Sequence, residues 1–205
     1  FPNYQHFDEA LSPEHKRRIM AFYKSMVQRH MYATGKKYYV AKNPAFSAKI
    51  ETLAEFFPEA RIIYLARNPL DMLPSTVSWI NYARRQFTDP KEKWLYLDEI
   101  VDMTQHWYSH PLKYLDAHPS PRNLILNYDD LIQRPEAVLR AFYEQFGYPD
   151  KPGLDIIVDE AVKETLTFNS DHVYSYEEMG FTREQIINFY PGIFERFGFD
   201  KREPI

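Results

Sequence analysis

One run of six residues, 61–66, constrains the fold most because polar and apolar side chains do not alternate along it (Arg-Ile-Ile-Tyr-Leu-Ala). A run of this kind is typical of a strand that is covered on both faces, as in a parallel sheet. Two other short apolar segments, 38–41 and 123–127, are also predicted strands. Helical segments separate the three strands. This alternation requires crossover connections, and it predicts an α/β fold in which helices flank a parallel sheet.

Capping residues and prolines mark the predicted helices. Ser12 and Pro13 form a helix start, and Gly35 offers a stop. Pro74 and Pro111 are expected to interrupt or kink the helices that contain them. Three strands are few for a sheet, so we expect at least one strand to lie outside this chain. The other predicted helices are 46–57, one that opens at Pro69, 89–114, 135–147 and 182–197.

Composition excludes several classes of function. The net charge of −4 argues against a protein that holds nucleic acid through bulk positive potential. The absence of cysteine excludes disulfides, thiolate zinc sites and cysteine nucleophiles. The six glycines have neither the G-x-G-x-x-G nor the Walker A spacing. No apolar run approaches the roughly 20 residues that a membrane span needs.

Polar residues follow each predicted strand directly. Lys42 follows the first, Arg67 the second, and Tyr128 and Asp129 the third. In parallel sheets, ligands bind beyond the carboxyl ends of the strands, where the following helices present their N-termini. Ser75 lies eight residues after Arg67, on the helix that follows. Two cations and a hydroxyl at this edge predict an anion site, although each alone is also compatible with a surface structural role.

Three motifs carry a family resemblance. Residues 58–69 (PEARIIYLARNP), followed by Ser75, resemble the 3′-phosphate-binding segment of sulfotransferases that use 3′-phosphoadenosine 5′-phosphosulfate (PAPS). Residues 42–44 (KNP) are similar to the K-x-P element that precedes this segment in the carbohydrate- and protein-type members. Residues 127–136 are similar to the Y-E-D-L-x-x-x-P-E segment that follows it. The order and spacing fit over residues 37–147, so the chain is identified as a member of the PAPS-dependent sulfotransferase family.

The resemblance implies a fold and an activity. Family members have a P-loop nucleotide-kinase-like fold, and residues 1–205 would form a single sulfotransferase-like domain. The implied reaction is sulfuryl transfer from PAPS, without a metal, to a hydroxyl or amine of a small-molecule or carbohydrate acceptor. The alternative is a sulfotransferase-like module that binds without catalysing; a kinase-like phosphotransferase is disfavoured because no Walker lysine is present. We expect no nucleic-acid partner, no membrane span and a cytoplasmic location.

The resemblance also assigns residues. Arg67 and Ser75 would hold the 3′-phosphate of the donor, and Tyr128 would approach the adenine. Lys42 would face the reaction centre, where an ammonium stabilises the charge that develops during transfer. His172 would be a further contact to the nucleotide phosphates. A buried structural role is the alternative for Tyr128, and an exposed turn lysine is the alternative for Lys42.

Two features depart from the family pattern. Sulfotransferases carry a 5′-phosphosulfate-binding loop after their first strand, and nothing before Tyr38 matches it. We therefore expect this chain to be the C-terminal two-thirds of a sulfotransferase. Phe46 stands where the K-x-P-x-H variant has histidine, so the general base is not assigned. The unassigned groups are His6, Asp8, Glu9 and His15, and three histidines expected to be solvated or half buried, His106, His110 and His118.

Overall fold

The structure, a computed structural model, divides into two compact units. One unit comprises Phe1–Ala60 with Met103–Pro119, and the other comprises Arg61–Asp102 with Ser120–Ile205. The single domain over residues 1–205 stays a prediction. The residues that the structure describes are 2–89, 91, 93–148, 153–167 and 175–199.

The first unit is helical in its described residues. Its main helix begins where the sequence predicts, because the Ser12 hydroxyl accepts the His15 N–H at 3.4 Å. It also ends where predicted, because Gly35 adopts a φ of 63° that L side chains rarely take. The predicted helix over residues 46–57 is confirmed, although its first part is a 3₁₀ helix. The elements are α1 (Pro2–Gln5), α2 (Phe7–Ala10), α3 (Pro13–Thr34), the 3₁₀ helix (Pro44–Lys49) and α4 (Ile50–Phe56).

Residues 38–41, a predicted buried strand, are irregular and largely exposed instead. Tyr38 is 62% exposed and Val40 is 90% exposed. A strand is defined by hydrogen bonds to a neighbouring strand, and none of the strands in the described ranges pairs with this segment. The strand prediction here is wrong, because apolar side chains alone do not supply a partner.

The second unit contains a parallel pair of strands. Strand β1 pairs with β2 in register from Ile62 opposite Asn123 to Ala66 opposite Asn127. This confirms two of the three predicted strands and their parallel direction. Cover on both faces is not observed for β1, since Ile63 is 42% exposed. The elements are β1 (Ile62–Ala66), α5 (Pro69–Arg85), α6 (Leu97–Ala117, which continues into the first unit), β2 (Asn123–Asn127), α7 (Tyr128–Gln133), α8 (Pro135–Gln145), α9 (Leu154–Thr167), a 3₁₀ turn (Glu177–Met179), α10 (Arg183–Phe189) and α11 (Ile193–Phe197).

Two prolines lie inside helices without ending them. α5 continues through Pro74 and α6 continues through Pro111, so the expected restart near Pro74 and the break at Pro111 are not observed. A proline removes one backbone hydrogen bond and crowds the preceding turn. Packing offsets this at Pro74, which is among the fully buried side chains. The predicted last helix, 182–197, is instead two helices, separated at Gly192, which has a φ of 77°.

The core of the second unit includes buried side chains of α5 and α10. Leu73 and Val77 of α5 have no exposed surface, and neither does Ile186 of α10, a helix that contacts α5. Burial of side chains of this size stabilises the fold by about 1.5–3 kcal/mol each. The helices present one apolar face to these cores, and in the described ranges none has the length and apolarity to cross a membrane.

Candidate functional site

The ends of the two strands bring Arg67 and Tyr128 together. Because Ala66 and Asn127 are partners in a parallel pair, the residues that follow them lie at the same edge of the sheet. The guanidinium carbon of Arg67 lies 5.6 Å from the centre of the Tyr128 ring, a distance at which a cation is attracted to an aromatic face. Both side chains are half-buried. The prediction that Arg67 and Tyr128 follow strands at this edge is confirmed. Lys42 was predicted at the same edge, but it follows no strand, because residues 38–41 are irregular.

The N-terminus of α5 lies directly after Arg67. The side-chain oxygen of Asn68 accepts the Leu70 N–H at 3.0 Å and so starts the helix. Asn127 starts α7 in the same way, by accepting the Asp129 N–H at 2.9 Å. The aligned peptide dipoles of a long helix place partial positive charge at its N-terminus. Arg67 and the start of α5 therefore both favour an anion at this edge of the sheet.

Ser75 lies on the same helix, and it is half-buried. It is seven residues after the Asn68 cap, which is two helical turns and about 10 Å along the axis. Residues spaced by seven lie on one face of a helix, so Ser75 faces the same side of α5 as the cap. Of the remaining predicted site residues, Lys42 belongs to the first unit, and His172 lies outside the described residues.

In the first unit, Lys42 lines a cavity of about 470 Å³. The walls are mostly apolar and aromatic, and a second ammonium, that of Lys49, lies beside them. Ligand pockets typically combine such apolar walls with a few polar groups that fix orientation. The other lining residues are Ile19, Met20, Tyr23, Tyr39, Ala41, Asn43 and Phe46.

Burial changes the ionisation of two groups in this cavity. Burial lowers the pKa of Lys49, although the carboxylate of Asp8 opposes the change. Burial, together with the charge and the hydrogen bond of Tyr39, raises the pKa of Tyr23 to about 12. Tyr23 is therefore a neutral hydroxyl at physiological pH. The helical spacing of Ile19 and Tyr23 indicates a packing face, and nothing in the sequence indicates that Tyr23 and Lys49 line a cavity.

Asp8 and His110, two of the unassigned groups, form a buried pair in the first unit. Nε2 of His110 lies 2.9 Å from Oδ2 of Asp8, and His110 is only 8% exposed. The Asp8 carboxylate also accepts the Glu51 N–H at 3.0 Å, the Thr52 N–H at 3.3 Å and the Thr52 hydroxyl. Burial opposes ionisation of Asp8, but the hydrogen bonds outweigh it and lower the pKa of the carboxyl. The expectation that His110 is solvated or half buried is wrong, because this carboxylate holds it inside.

The other unassigned side chains form two sets, one beside the Asp8–His110 pair and one exposed. His6, Glu9 and His106 lie beside the Asp8–His110 pair, with Nε2 of His106 3.4 Å from Oε2 of Glu9. His15 and His118 are exposed and hydrogen-bond locally, to Ser12 and to the Tyr114 carbonyl. The sequence offered one sign of the cluster, the i, i+4 spacing of His106 and His110 on a single helix.

Residues 2–152 match the sequence model of the sulfotransferase family. The chain belongs to that family. Two curated relatives, the omega-hydroxy-beta-dihydromenaquinone-9 sulfotransferases Stf3 of Mycobacterium bovis and Mycobacterium tuberculosis, are each 27% identical to it over 182 residues. The match covers 85% of this chain and 44% of each relative. This sulfotransferase-family chain therefore spans less than half the length of the relatives it matches.

A solved structure shares the fold. The crystal structure of sulfotransferase STF9 from Mycobacterium avium superposes with a TM-score of 0.60, over 80% of this chain and 42% of the other. The two sequences are 19% identical, so this likeness shows the fold alone. Together with the small parallel sheet and its flanking helices, it confirms the predicted α/β sulfotransferase fold.

Proposed function

We propose that this chain is part of an enzyme that transfers a sulfuryl group from PAPS to a hydroxyl or amine of a small-molecule or carbohydrate acceptor. The observation that carries the proposal is the Arg67–Tyr128 pair at the carboxyl ends of two parallel strands, next to the N-terminus of α5. Membership of the sulfotransferase family supports the type of reaction.

In this proposal the donor's bisphosphate end binds to the second unit. The planar guanidinium of Arg67 offers two parallel N–H groups to the 3′-phosphate, which suits a bidentate contact. The Ser75 hydroxyl adds a neutral donor from the same face of α5. The Tyr128 ring lies against Arg67 and provides an apolar surface for the adenine. We also propose His172 as a phosphate contact, on the resemblance alone.

The proposed transfer step is an in-line displacement at sulfur. The acceptor oxygen or nitrogen forms a bond to sulfur while the bond from sulfur to the 5′-phosphate oxygen breaks. The phosphate leaves with the electron pair as adenosine 3′,5′-bisphosphate, and the acceptor proton passes to a base that is not assigned. On the resemblance alone, we propose that the Lys42 ammonium stabilises the charge on the peripheral oxygens, as fixed cations do in phosphoryl transfer. The step as proposed uses no metal.

The cavity beside Lys42 suggests the class of acceptor. Its aromatic and aliphatic walls favour a molecule with an apolar body. The acceptor in the printed name of Stf3 is a hydroxylated menaquinone derivative. Among the small-molecule acceptors, we propose for this chain an apolar molecule that carries a hydroxyl group.

Calorimetric titration with adenosine 3′,5′-bisphosphate tests the donor site, with ADP as the competing ligand. Hydrogen bonds to charged groups contribute about 1.5–3 kcal/mol, so Arg67→Ala should weaken binding by about tenfold or more. Arg140→Ala is the matched control, since Arg140 is an exposed arginine of the same unit that pairs with Glu136 and Asp155. The proposal predicts preference for the 3′-phosphate and a loss confined to Arg67→Ala. Equal affinity for ADP, or equal losses in both variants, would contradict it.

A transfer assay, rather than the titration, separates the alternative function. A module that binds without catalysing would retain the bisphosphate affinity and its dependence on Arg67. It would show no transfer from PAPS to any hydroxylated acceptor, even in a longer protein that carries a 5′-phosphosulfate loop. Transfer activity in that protein would exclude the non-catalytic reading.

A further inference from the structure

We propose that His6, Glu9 and His106 form a binding site for one divalent transition metal ion, of which zinc is the type. One ligand atom from each residue can be chosen such that all three lie within 4.8 Å of one another. Two imidazoles and one carboxylate are a donor set that zinc takes in proteins, with a fourth position left for water or another ligand. The site lies within the first unit and is separate from the residues proposed for sulfuryl transfer.

The distance between the two best-placed donors fits a metal better than a hydrogen bond. Nε2 of His106 lies 3.4 Å from Oε2 of Glu9, beyond the 2.7–2.9 Å that is usual for a charge-assisted contact, or about 3 Å for a neutral one. Two donors that each lie about 2.1 Å from a tetrahedral ion stand about 3.4 Å apart. Nε2 of His106 is also shielded from solvent, so a metal there would be held in a partly closed site.

The third donor, His6, is already close. The centres of the His6 and His106 rings lie 4.2 Å apart with the planes inclined at 41°, so the rings are close but not stacked flat. His6 is at the N-terminus of α2, three residues before Glu9. The chain is anchored on both sides of it: the Trp107 indole donates to the Gln5 carbonyl at 3.3 Å, and the Lys16 ammonium donates to the Asp8 carbonyl. Small side-chain adjustments therefore close the site.

His110 orients the carboxylate ligand. Its Nδ1 lies 3.2 Å from Oε1 of Glu9, while its Nε2 contacts Asp8. It therefore holds the Glu9 oxygen that does not face His106. Metal-binding carboxylates and imidazoles are usually held by such outer contacts, which fix the geometry of the ligand atoms. His110 is a positioning residue in this proposal, and it stacks on His106 with ring centres 4.8 Å apart.

The test is zinc binding by the untagged 205-residue chain, measured by titration calorimetry after treatment with a chelator. We expect one zinc per chain and a rise in melting temperature with zinc concentration, because the ion binds the folded state. His6→Gln and His106→Gln should each weaken binding by about tenfold or more. His118→Gln, which removes an exposed histidine near the end of the same helix, should bind zinc like the parent chain.

Cobalt provides an independent readout. A Co²⁺ complex of the parent chain should show the strong visible absorption of a four-coordinate site, and His6→Gln should lose it. His6 is only half-buried, so this variant tests the site even if His106→Gln does not fold, and far-UV circular dichroism without metal checks the fold of each. Absence of stoichiometric zinc binding by the folded parent chain, or equal binding by His6→Gln and His118→Gln, would overturn the proposal.

Discussion

Lys42 is the residue on which the proposed transfer step depends. Lys42→Ala should lower kcat by about 100-fold or more, the usual effect of removing one group that stabilises transition-state charge. Affinity for adenosine 3′,5′-bisphosphate should stay within about twofold, because the proposed 3′-phosphate contacts belong to other residues. Steady-state kinetics with PAPS and a hydroxylated apolar acceptor, in a longer protein that carries the 5′-phosphosulfate loop, measures kcat, and calorimetry measures the affinity.

The matched control for Lys42 is Lys36→Ala, which removes an exposed lysine that is not among the cavity-lining residues. It should leave kcat unchanged. If both variants lose activity equally, or if Lys42→Ala changes only KM, the assignment of Lys42 to the transfer step is wrong.

Tyr23 makes the stability of the chain depend on alkaline pH. Its pKa is raised from 10.0 to about 12 in the folded state, by burial and by Tyr39. The folded state therefore keeps a proton that the unfolded state loses, so the free energy of unfolding is undiminished below pH 10 and falls as the pH rises from 10 towards 12. Tyr23→Phe removes this group, so the free energy of unfolding of the variant should fall less steeply with pH above 10.

Urea unfolding at several pH values between about 9 and 11 measures the effect of Tyr23. Tyr32→Phe is the control, because Tyr32 lies on the same helix but is 92% exposed. An alkaline fall that is equally steep in Tyr23→Phe and in Tyr32→Phe would contradict the argument.

At the scale of elements, one carboxylate joins α2 to α4. Asp8 accepts two backbone N–H groups from the first turn of α4, those of Glu51 and Thr52, and it also pairs with His110. The first N–H groups of a helix have no partner within it, so Asp8 acts as a cap from another part of the chain. These contacts hold α2 against α4 and α6, and they thereby position Glu9, which lies on α2.

Asp8→Ala should therefore lower the free energy of unfolding by about 3–5 kcal/mol, since it leaves a buried imidazole and two N–H groups without their acceptor. Asp159→Ala, an exposed position on α9, should change it by less than about 0.5 kcal/mol. Urea unfolding in the presence of a chelator, so that metal binding does not contribute, compares the two. Equal stabilities for these variants would show that the cap contributes nothing.

Local signals predicted some elements and missed others. The ends of α3 follow from Ser12 and Gly35, because capping depends on neighbouring residues alone. The segment 38–41 has the composition of a strand, but a strand also needs a partner, which its own sequence does not specify. α6 begins at Leu97, eight residues after the predicted start at 89, because helical spacing does not show where the first turn forms.

For the whole molecule, the predictable part of the site is the part that topology fixes. Parallel strands end at one edge, so the residues that follow β1 and β2, Arg67 and Tyr128, lie near each other. The cluster around Glu9 joins segments about 100 residues apart, as the Asp8–His110 contact shows with a separation of 102 positions. No local pattern in either segment shows that it contacts the other. The cluster therefore becomes visible only once the first unit is folded and packed.

The contact of Arg67 with Tyr128 has a consequence for the rate and the entropy of ligand binding. An arginine side chain free in solution loses rotational freedom when it clamps a phosphate, at a cost of about 0.5–1.5 kcal/mol. A guanidinium that already rests 5.6 Å from the centre of an aromatic ring has fewer orientations left to lose. We therefore expect association with the bisphosphate to carry a small entropic penalty and to proceed without a slow rearrangement of this side chain.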